Sequence, residues 1–377
     1  MTTSNRAPRR QERQLTAVDL FAGAGGMSLG LTAAGFHVLA AVERDPQAGS
    51  SYTLNHPRTR LLIADVAGLE GRALVPDRRR RVDLVAGGPP CQGFSIKGQR
   101  RPGHPGNLML EHLVRLVSDL RPRAVLIENV VGLISMVGGY YFDRLITSLE
   151  RISPAGGRRY NVEFALLNAA EYGVPQNRRR LFIVAIEAGR AWDWPEPTTS
   201  PGDLTLWDAI GDLPPDSEQP GVIASLGSAR TVSSYAQGLC GGNGLVLNHH
   251  TKRLEQLRLQ RLDALQQGQD RRHLPAHLQA GGHQTKYRRL RADAPSPTVT
   301  AHMGKDLSDF IHPQLPRTLT VREAARIQGF PDTYEFLGSQ ASQFTQVGNA
   351  VPVRLAQVLG LELARALRGR YRSRLAR

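Results

Sequence analysis

The sequence predicts an α/β protein in which a mainly parallel sheet carries helices on both faces and a smaller domain is inserted late in the chain. Three observations predict it. Short apolar runs at 16–21, 38–42, 61–64, 82–86, 125–127 and 181–186 are too brief for helices. Stretches of helical period lie between some of them, at 27–34 and again where Leu108, Leu110, Leu113, Val117 and Leu120 recur. At 377 residues the chain is long enough for one large domain and a smaller one, or for one large unit with an insertion.

Composition narrows the partner. Apolar residues make up 41% and charged residues 21%, an ordinary globular balance. The 48 basic against 33 acidic residues give a net charge of +15, which favours a polyanion; nucleic acid comes first, an acidic membrane second. No run approaches the length of a membrane-spanning helix, and Arg6, Arg9, Arg10 and Arg13 near the start are followed by no apolar core. A soluble, cytoplasmic protein is expected. Cys91 and Cys240 are the only cysteines, and a reducing compartment makes a disulfide between them unexpected.

The first strand, at 16–21, runs into Ala22-Gly23-Ala24-Gly25-Gly26, which turns it into a helix. Glycines there let a ligand approach the backbone, and the helix start offers free N–H groups. Ser28 stands where a third glycine would complete a dinucleotide fingerprint, so that reading loses its main support. The next strand ends in Glu43, about 20 residues on, where a carboxylate suits the two hydroxyls of a ribose. The third ends in Asp65, placed to accept from an adenine amino group. Three strand ends thus converge on one nucleoside.

The run at 82–86 leads into Gly87-Gly88-Pro89-Pro90-Cys91-Gln92-Gly93-Phe94-Ser95. Glycines allow unusual backbone angles and prolines fix φ, so this loop presents a thiol in a defined place at the edge where open α/β sheets bind ligands. The following stretch, with Lys97, Arg100 and Arg101 among glycines and prolines, reads as a mobile basic loop suited to a phosphate backbone. The strand at 125–127 delivers Glu128 to the same rim as Cys91. Near 180, Gln176, Arg178, Arg179 and Arg180 precede another apolar strand, and alternation sets Arg178 and Arg180 on one face.

The nine residues around Cys91 resemble the nucleophile motif of the DNA (cytosine-5) methyltransferases, and further motifs along nearly the whole chain keep that family's order. Asp19-Leu20-Phe21-Ala22-Gly23-Ala24-Gly25-Gly26, Glu43 and Asp65 are similar to its S-adenosylmethionine contacts. Gln176, Arg178 and Arg180 match Gln-x-Arg-x-Arg, 317–332 the ninth motif and 347–352 the tenth. The resemblance implies a Rossmann-like S-adenosylmethionine-dependent methyltransferase sheet and an inserted DNA-recognition domain. It implies Cys91, Glu128, Arg178 and Arg180 as the catalytic set. Asp19, Phe21, Ala22, Gly23, Gly25, Gly26, Glu43, Asp65, Pro90, Asn349 and Val351 would hold the cofactor. Arg44 departs from the pattern, since many members carry there an aromatic residue that lies against the adenine.

The implied chemistry is C5 methylation of a flipped cytosine in a specific duplex sequence through a Cys91–C6 adduct. Thiolate addition at C6 makes C5 enamine-like, and a carboxyl group bonded to N3 and the exocyclic amine favours that addition. Arg180 would hold the cytosine carbonyl oxygen and position Glu128. The expected partner is double-stranded DNA, the protein a monomer and no membrane protein, and its setting a restriction-modification system with a companion endonuclease or an orphan modification enzyme.

From 191 to 228 the chain is acidic and proline-rich with no Lys or Arg, a connector. Between Lys252 and Arg291 ten cations face three anions, and Gln284, Lys286 and Arg288 are candidates to reach base edges. His273 and His277, four apart, raise zinc; structural zinc sites are usually cysteine-rich with paired spacings, so no metal is expected. Thr320 with Glu323 predicts a capped helix, and an amphipathic helix at about 353–367 is expected to pack back on the first domain. The expected divisions are a basic tail at 1–15, a catalytic and cofactor domain at 16–190, a connector and target-recognition region at 191–316, a return segment at 317–367 and a second basic tail at 368–377. Rival readings are a cytosine-5 enzyme acting on transfer RNA, whose members show Cys-Phe-Thr where this chain has Cys91-Gln92-Gly93; a catalytically silent DNA-binding module; and a nicotinamide oxidoreductase.

Overall fold

Strand β1, Leu15–Leu20, is almost wholly buried and pairs in parallel with both β2, Phe36–Glu43, and β4, Leu84–Gly87. The computed structural model describes residues 13–77, 79–90, 105–216, 224–225, 232–241, 244–251, 254–279, 281, 286–303 and 310–369. Strand β3, Arg60–Ile63, adds to β2, and β5, Ala124–Asn129, to β4, both in parallel. After β6, Tyr160–Asn168, and a two-residue strand β7, Gln176–Asn177, the long β8, Arg179–Glu187, inserts antiparallel between β5 and β6. The sheet order is β3-β2-β1-β4-β5-β8-β6. The chain direction of travel across the sheet reverses at β1 and β4, and a crevice at their carboxyl ends is where open α/β sheets take ligands. The glycine turn and the Pro-Pro loop leave from these two ends.

Helices α1, Gly26–Ala33, α2, Pro46–Asn55, α3, Gly71–Leu74, α4, Pro105–Leu120, and α5, Tyr140–Arg151, connect the strands. Apolar side chains cover both faces. One core joins Leu15, Phe36, Leu84, Leu126 and Phe182 to α1; the other joins Val18, Leu20, Val85, Val125 and Ile183 to α4 and α5. In β2 the phase slips: Phe36 and Val38 enter the first core, whereas Ala40 and Val42 enter the second. The register with β1 explains it, since Ala17 opposes Val38 and Val18 opposes Ala40, so Leu39 is an extra residue of a bulge.

Beyond β8 come α6, Leu206–Ile210, α7, Ser234–Gln237, α8, Gln256–Asp263, α9, Val321–Ile327, α10, Gln340–Asn349, and α11, Val353–Arg368. The predicted cap is present: Thr320 Oγ1 accepts from the Glu323 N–H while Glu323 accepts from the Thr320 N–H. Helix α11 returns onto α1 as expected. A Cβ on Gly30 would stand 2.5 Å from Ala356 Cβ, and one on Gly360 would stand 2.7 Å from Ala34 Cβ, so glycine at both positions permits this close crossing. Leu206, Ala209 and Ile210 of α6 share a core with Ala324, Phe330 and Phe344, while Leu262, Leu265, Leu274, Leu278, Tyr287 and Ile311 form a small separate one. Among the described residues no helix is long and apolar enough to cross a membrane.

Candidate active site and cofactor crevice

The glycine turn after β1 is strained where it faces the crevice. Phe21 has φ +61°, a rare conformation for a bulky residue, and Gly23 has φ +57° with open space where a Cβ would stand. Glu43, at the end of β2, holds the turn: its Oε2 accepts from the Gly23 N–H at 2.8 Å, and its Oε1 from the N–H groups of Arg44 and Asp45 at 2.8 and 2.7 Å. Asp65 caps the turn after β3 through the Ala67 N–H at 2.9 Å. From the other side, Gly26 meets the return segment, where a Cβ would lie 2.6 Å from the Val351 carbonyl oxygen. Val351 is buried, and Asn349 beside it, the last residue of α10, is exposed. An open glycine cradle bounded by two strand-end carboxylates fits a nucleoside. Glu43 and Val351 thus meet the glycine turn of Phe21 and Gly23 from two sides, with Asp65 near the neighbouring strand end, Asn349 two residues before Val351, and Ala22, Gly25 and Gly26 buried in the turn.

Asp19 is not at that surface. Its carboxylate is 1% exposed and accepts from Ser28 Oγ at 2.6 Å; Ser28 in turn bonds the Tyr52 hydroxyl at 2.8 Å. This explains the serine at the third glycine position. A second buried chain supports the same turn: the Tyr334 hydroxyl donates to the Ala24 carbonyl and bonds His56 Nε2 at 2.9 Å. Burial pushes the Asp19 carboxyl up to about 7, against the opposing donors of Ser28, and lowers His56 to about 4.

The sign of the resulting pH dependence follows directly. Between about pH 4 and 7 the folded state keeps a proton on Asp19 that the unfolded chain has released, so stability falls with rising pH across that window and levels off above it. Asp19→Asn removes this slope while still accepting from Ser28. Urea unfolding at pH 5 and pH 8 is expected to cost the native sequence about 2–4 kcal/mol more than the variant over that interval. Equal losses in the two proteins would refute the assignment.

The second half of the site gathers at the ends of β4, β5 and β8. A Cβ on Gly88 would lie 3.5 Å from Glu128 Oε2, and Asn129 Nδ2 donates to the Pro89 carbonyl at 3.3 Å. The end of β5 thus grips the root of the Pro-Pro loop. Pro90 is half-buried; Cys91, Lys97, Arg100 and Arg101 lie outside the described residues, as does Gln284. Arg180 Nε stands 3.1 Å from Glu128 Oε1, with 17% and 11% of the two side chains exposed. The pair is ionic but poorly aligned as a hydrogen bond, leaving Oε1 as an unfilled buried acceptor.

Arg178, expected beside Arg180 in the catalytic set, is used differently. Its guanidinium is 2% exposed and donates to the Val299 carbonyl at 2.8 Å and the Gly348 carbonyl at 3.1 Å. It ties the entrance of β8 to the segment before Asn349. Two residues that the sequence did not single out as contacts complete this tie: Gln176 Nε2 donates to Gln328 Oε1 at 2.8 Å, and Gln328 Nε2 donates to the Val347 and Ala350 carbonyls at 2.7 and 3.1 Å. Asn129 was likewise unassigned. The signal available for it was only its place beside Glu128 at a buried strand end.

In the insertion, Lys286 and Arg288 are half-buried around Tyr287, whose ring lies 5.8 Å from Lys286 Nζ. Arg289, the next residue, is buried and donates to the carbonyls of Leu262, His312, Pro313 and Leu315. His273 is committed to the turn that begins at Asp270, 3.4 Å from its carboxylate.

A Type II methyltransferase, M.AgeI of Thalassovita gelatinovora, is 35% identical over 92% of this chain and 98% of its own length. M1.HphI of Haemophilus parahaemolyticus, also a Type II methyltransferase, is 36% identical over 92% of this chain and 85% of its own. The crystal structure of a DNA modification methyltransferase encoded within a prophage of E. coli superposes with a TM-score of 0.76 at 26% identity, covering 94% of this chain and 100% of that one. A family model described as C-5 cytosine-specific DNA methylase matches residues 15–365. The chain is therefore an enzyme that belongs to the C-5 cytosine-specific DNA methylase family, whose methyl donor is S-adenosylmethionine.

Proposed function

We propose that the protein methylates C5 of a cytosine flipped out of a specific duplex DNA sequence, through a covalent bond between the Cys91 sulfur and C6. The observation that carries this reading is the meeting of Glu128, Arg180 and the root of the Cys91 loop at one rim of the sheet. Flipping is required because the ring carbons are inaccessible within the stack. The Cys91 thiolate adds to C6, and the Glu128 carboxyl, bonded to N3 and the exocyclic amine, favours that addition by proton donation. Arg180 holds the cytosine carbonyl oxygen and fixes Glu128 through their ion pair. S-adenosylmethionine supplies the methyl group to C5. Transfer of the C5 proton to water, return of the N3 proton to Glu128 and departure of the Cys91 sulfur as thiolate then restore the aromatic ring.

The crevice residues Phe21, Gly23, Glu43, Asp65, Asn349 and Val351 are assigned to the methyl donor on the strength of their common placement. Arg178 acts by positioning Arg180 and the return segment rather than by touching the base. Sequence recognition is assigned to 191–316, with Lys286 and Arg288 at the DNA. The two Type II relatives support a restriction-modification setting, with a companion endonuclease.

The test is bisulfite sequencing of plasmid from a host lacking cytosine-5 methylation that expresses either the native sequence or Cys91→Ala. Protection of one short sequence by the native protein alone is expected. Protection by both would remove Cys91 from its role. No protection by a protein that binds S-adenosylmethionine would move the substrate to RNA.

A further inference from the structure

We propose that the edge of the sheet opposite the catalytic rim is a second binding surface for duplex DNA, one that grips the phosphate backbone without reading sequence. The inference goes beyond the methylation reading and does not depend on it. Glu128 lies at the carboxyl end of β5, whereas Arg123 precedes its start; the two are five residues apart, roughly 17 Å along an extended strand. At this far edge Arg79, Arg80 and Arg81 lead into β4, Arg121 and Arg123 into β5, and Arg159 into β6. The sheet order from β4 to β6 is β4-β5-β8-β6, so these cations spread over roughly 14 Å, about four base pairs of a duplex axis.

The carboxylates of this edge leave most of that charge uncovered. Asp83 and Glu187 are buried and spend their charge internally, with Arg123 Nη1 3.0 Å from Asp83 Oδ1 and Arg190 Nε 3.0 Å from Glu187 Oε2. Arg79, Arg81, Arg121 and Arg159 are exposed, without a carboxylate at ion-pair distance among the described residues, and Arg80 approaches Asp77 only to 3.8 Å. Arg80, Arg81, Arg121 and Arg123 line one cleft of about 190 Å³ together with Asp119. Like charges converging on one cleft repel, and a bound anion relieves them. The backbone beneath is preset: the Arg79 N–H donates to Asp77 Oδ1 at 3.0 Å, and Thr16 Oγ1 donates to the Arg81 carbonyl at 2.6 Å. Arg13 and Gly369, the first and last described residues, are anchored at the same edge, the one by its pair with Asp83 and the other by Arg190, which donates to its carbonyl at 3.1 Å. The sequence beyond them adds Arg6, Arg9 and Arg10 on one side and Arg370, Arg372 and Arg374 on the other.

Guanidinium forks match phosphate oxygens, and a duplex offers one negative charge per about 1.7 Å of its axis. Unpaired strands are held in addition by stacking on exposed rings, and membranes by apolar anchors. Phe36 and Tyr160, the aromatic residues that open β2 and β6, are buried, and no large apolar side chain is exposed among the described residues of 76–82, 119–123 and 153–159. The edge therefore suits a regular phosphate array and neither of the other polyanions. A duplex seated at the catalytic rim lies at the opposite end of the strands, so the chain can hold two segments at once.

The experiment is a sedimentation titration of the full chain with a duplex of about 20 A·T base pairs, which holds no cytosine, at about 50 mM salt. The native sequence is compared with Arg79→Gln/Arg80→Gln/Arg81→Gln/Arg159→Gln and with the same four positions changed to lysine, which keeps the charge. The native and lysine chains should each take up two duplexes and the glutamine chain one. Raising the salt to about 200 mM should weaken the second site by roughly 100-fold, as four phosphate contacts require. All three chains should unfold at the same temperature and bind S-adenosylhomocysteine equally, since the four side chains are exposed and lie away from the crevice. One duplex per native or lysine chain, or two per glutamine chain, overturns the proposal. So does a loss confined to an oligouridylate of about 20 nucleotides, or to vesicles of phosphatidylserine in phosphatidylcholine, which would give the edge to RNA or to a membrane. Because the probe holds no cytosine, failure of the bisulfite test leaves this outcome standing, and the two readings fail separately.

Discussion

Glu128→Gln is expected to lower the rate of methyl transfer by about 10³-fold while leaving S-adenosylhomocysteine affinity unchanged. The carboxyl group sits at the end of β5, opposite Phe182 of β8, where the backbone on both sides is fixed by ladder bonds. Its Oε2 faces the root of the Cys91 loop, and its Oε1 stands against Arg180. Glutamine keeps the shape and the hydrogen-bonding length, but it cannot supply a proton and carries no charge for Arg180. Arg180→Ala should also lose activity, since it frees Glu128 and removes the hold on the cytosine carbonyl. Because the arginine acts partly through the carboxylate, the double variant should lose less than the product of the single losses. Single-turnover transfer of a labelled methyl group to duplex DNA measures all three. A Glu128→Gln rate within about threefold of native would exclude Glu128 as the acid.

The elements that the sequence discloses are those with local signatures. The strand, glycine turn and helix at 15–33, the carboxylates at 43 and 65, and the Thr320–Glu323 box each rest on neighbours within a few residues. The C-terminal helix was legible from its period, and the glycines at 30 and 360 record its packing. Strand β6 was not legible. It is the sheet edge, and its exposure varies without a clean alternation, with Glu163 exposed and Phe164 50% exposed. The direction of β8 was hidden for a related reason: a fully apolar run is the same sequence signal in a parallel or an antiparallel position. The different uses of Arg178 and Arg180 were illegible because they depend on carbonyls at 299 and 348, more than a hundred residues away. The motif implies Asp19 as a cofactor contact, whereas its burial with Ser28 and Tyr52 makes it a support of the turn, a distinction that spacing does not carry.

The same kind of long-range polar contact yields the largest expected effect on stability, at Arg326. This residue of α9 is wholly buried and donates two bonds to Asp332, at 2.8 and 2.7 Å, and one to Asp212, at 2.5 Å. Asp332 is 0% exposed and Asp212 3%. Arg326→Ala would leave two carboxylates in the interior without their cation, and removing one partner of a buried ion pair typically costs about 3–5 kcal/mol. Thermal unfolding should fall by roughly 4–6 °C. Replacing all three residues by apolar ones of similar volume should recover most of the loss, because the penalty comes from uncompensated charge and not from the absence of the pair. The consequence reaches the site. Asp212 lies just after α6 in the insertion, whereas Arg326 lies two residues before Gln328, whose amide holds the Val347 and Ala350 carbonyls beside Asn349. The triad therefore joins the base of the insertion to the segment that closes the cofactor crevice. Loosening it should weaken S-adenosylhomocysteine binding at temperatures where the protein is still folded. If Arg326→Ala unfolds within about 1 kcal/mol of native, the interior there must admit water or relax enough to neutralise both carboxylates, and the proposed link between insertion and crevice would be lost.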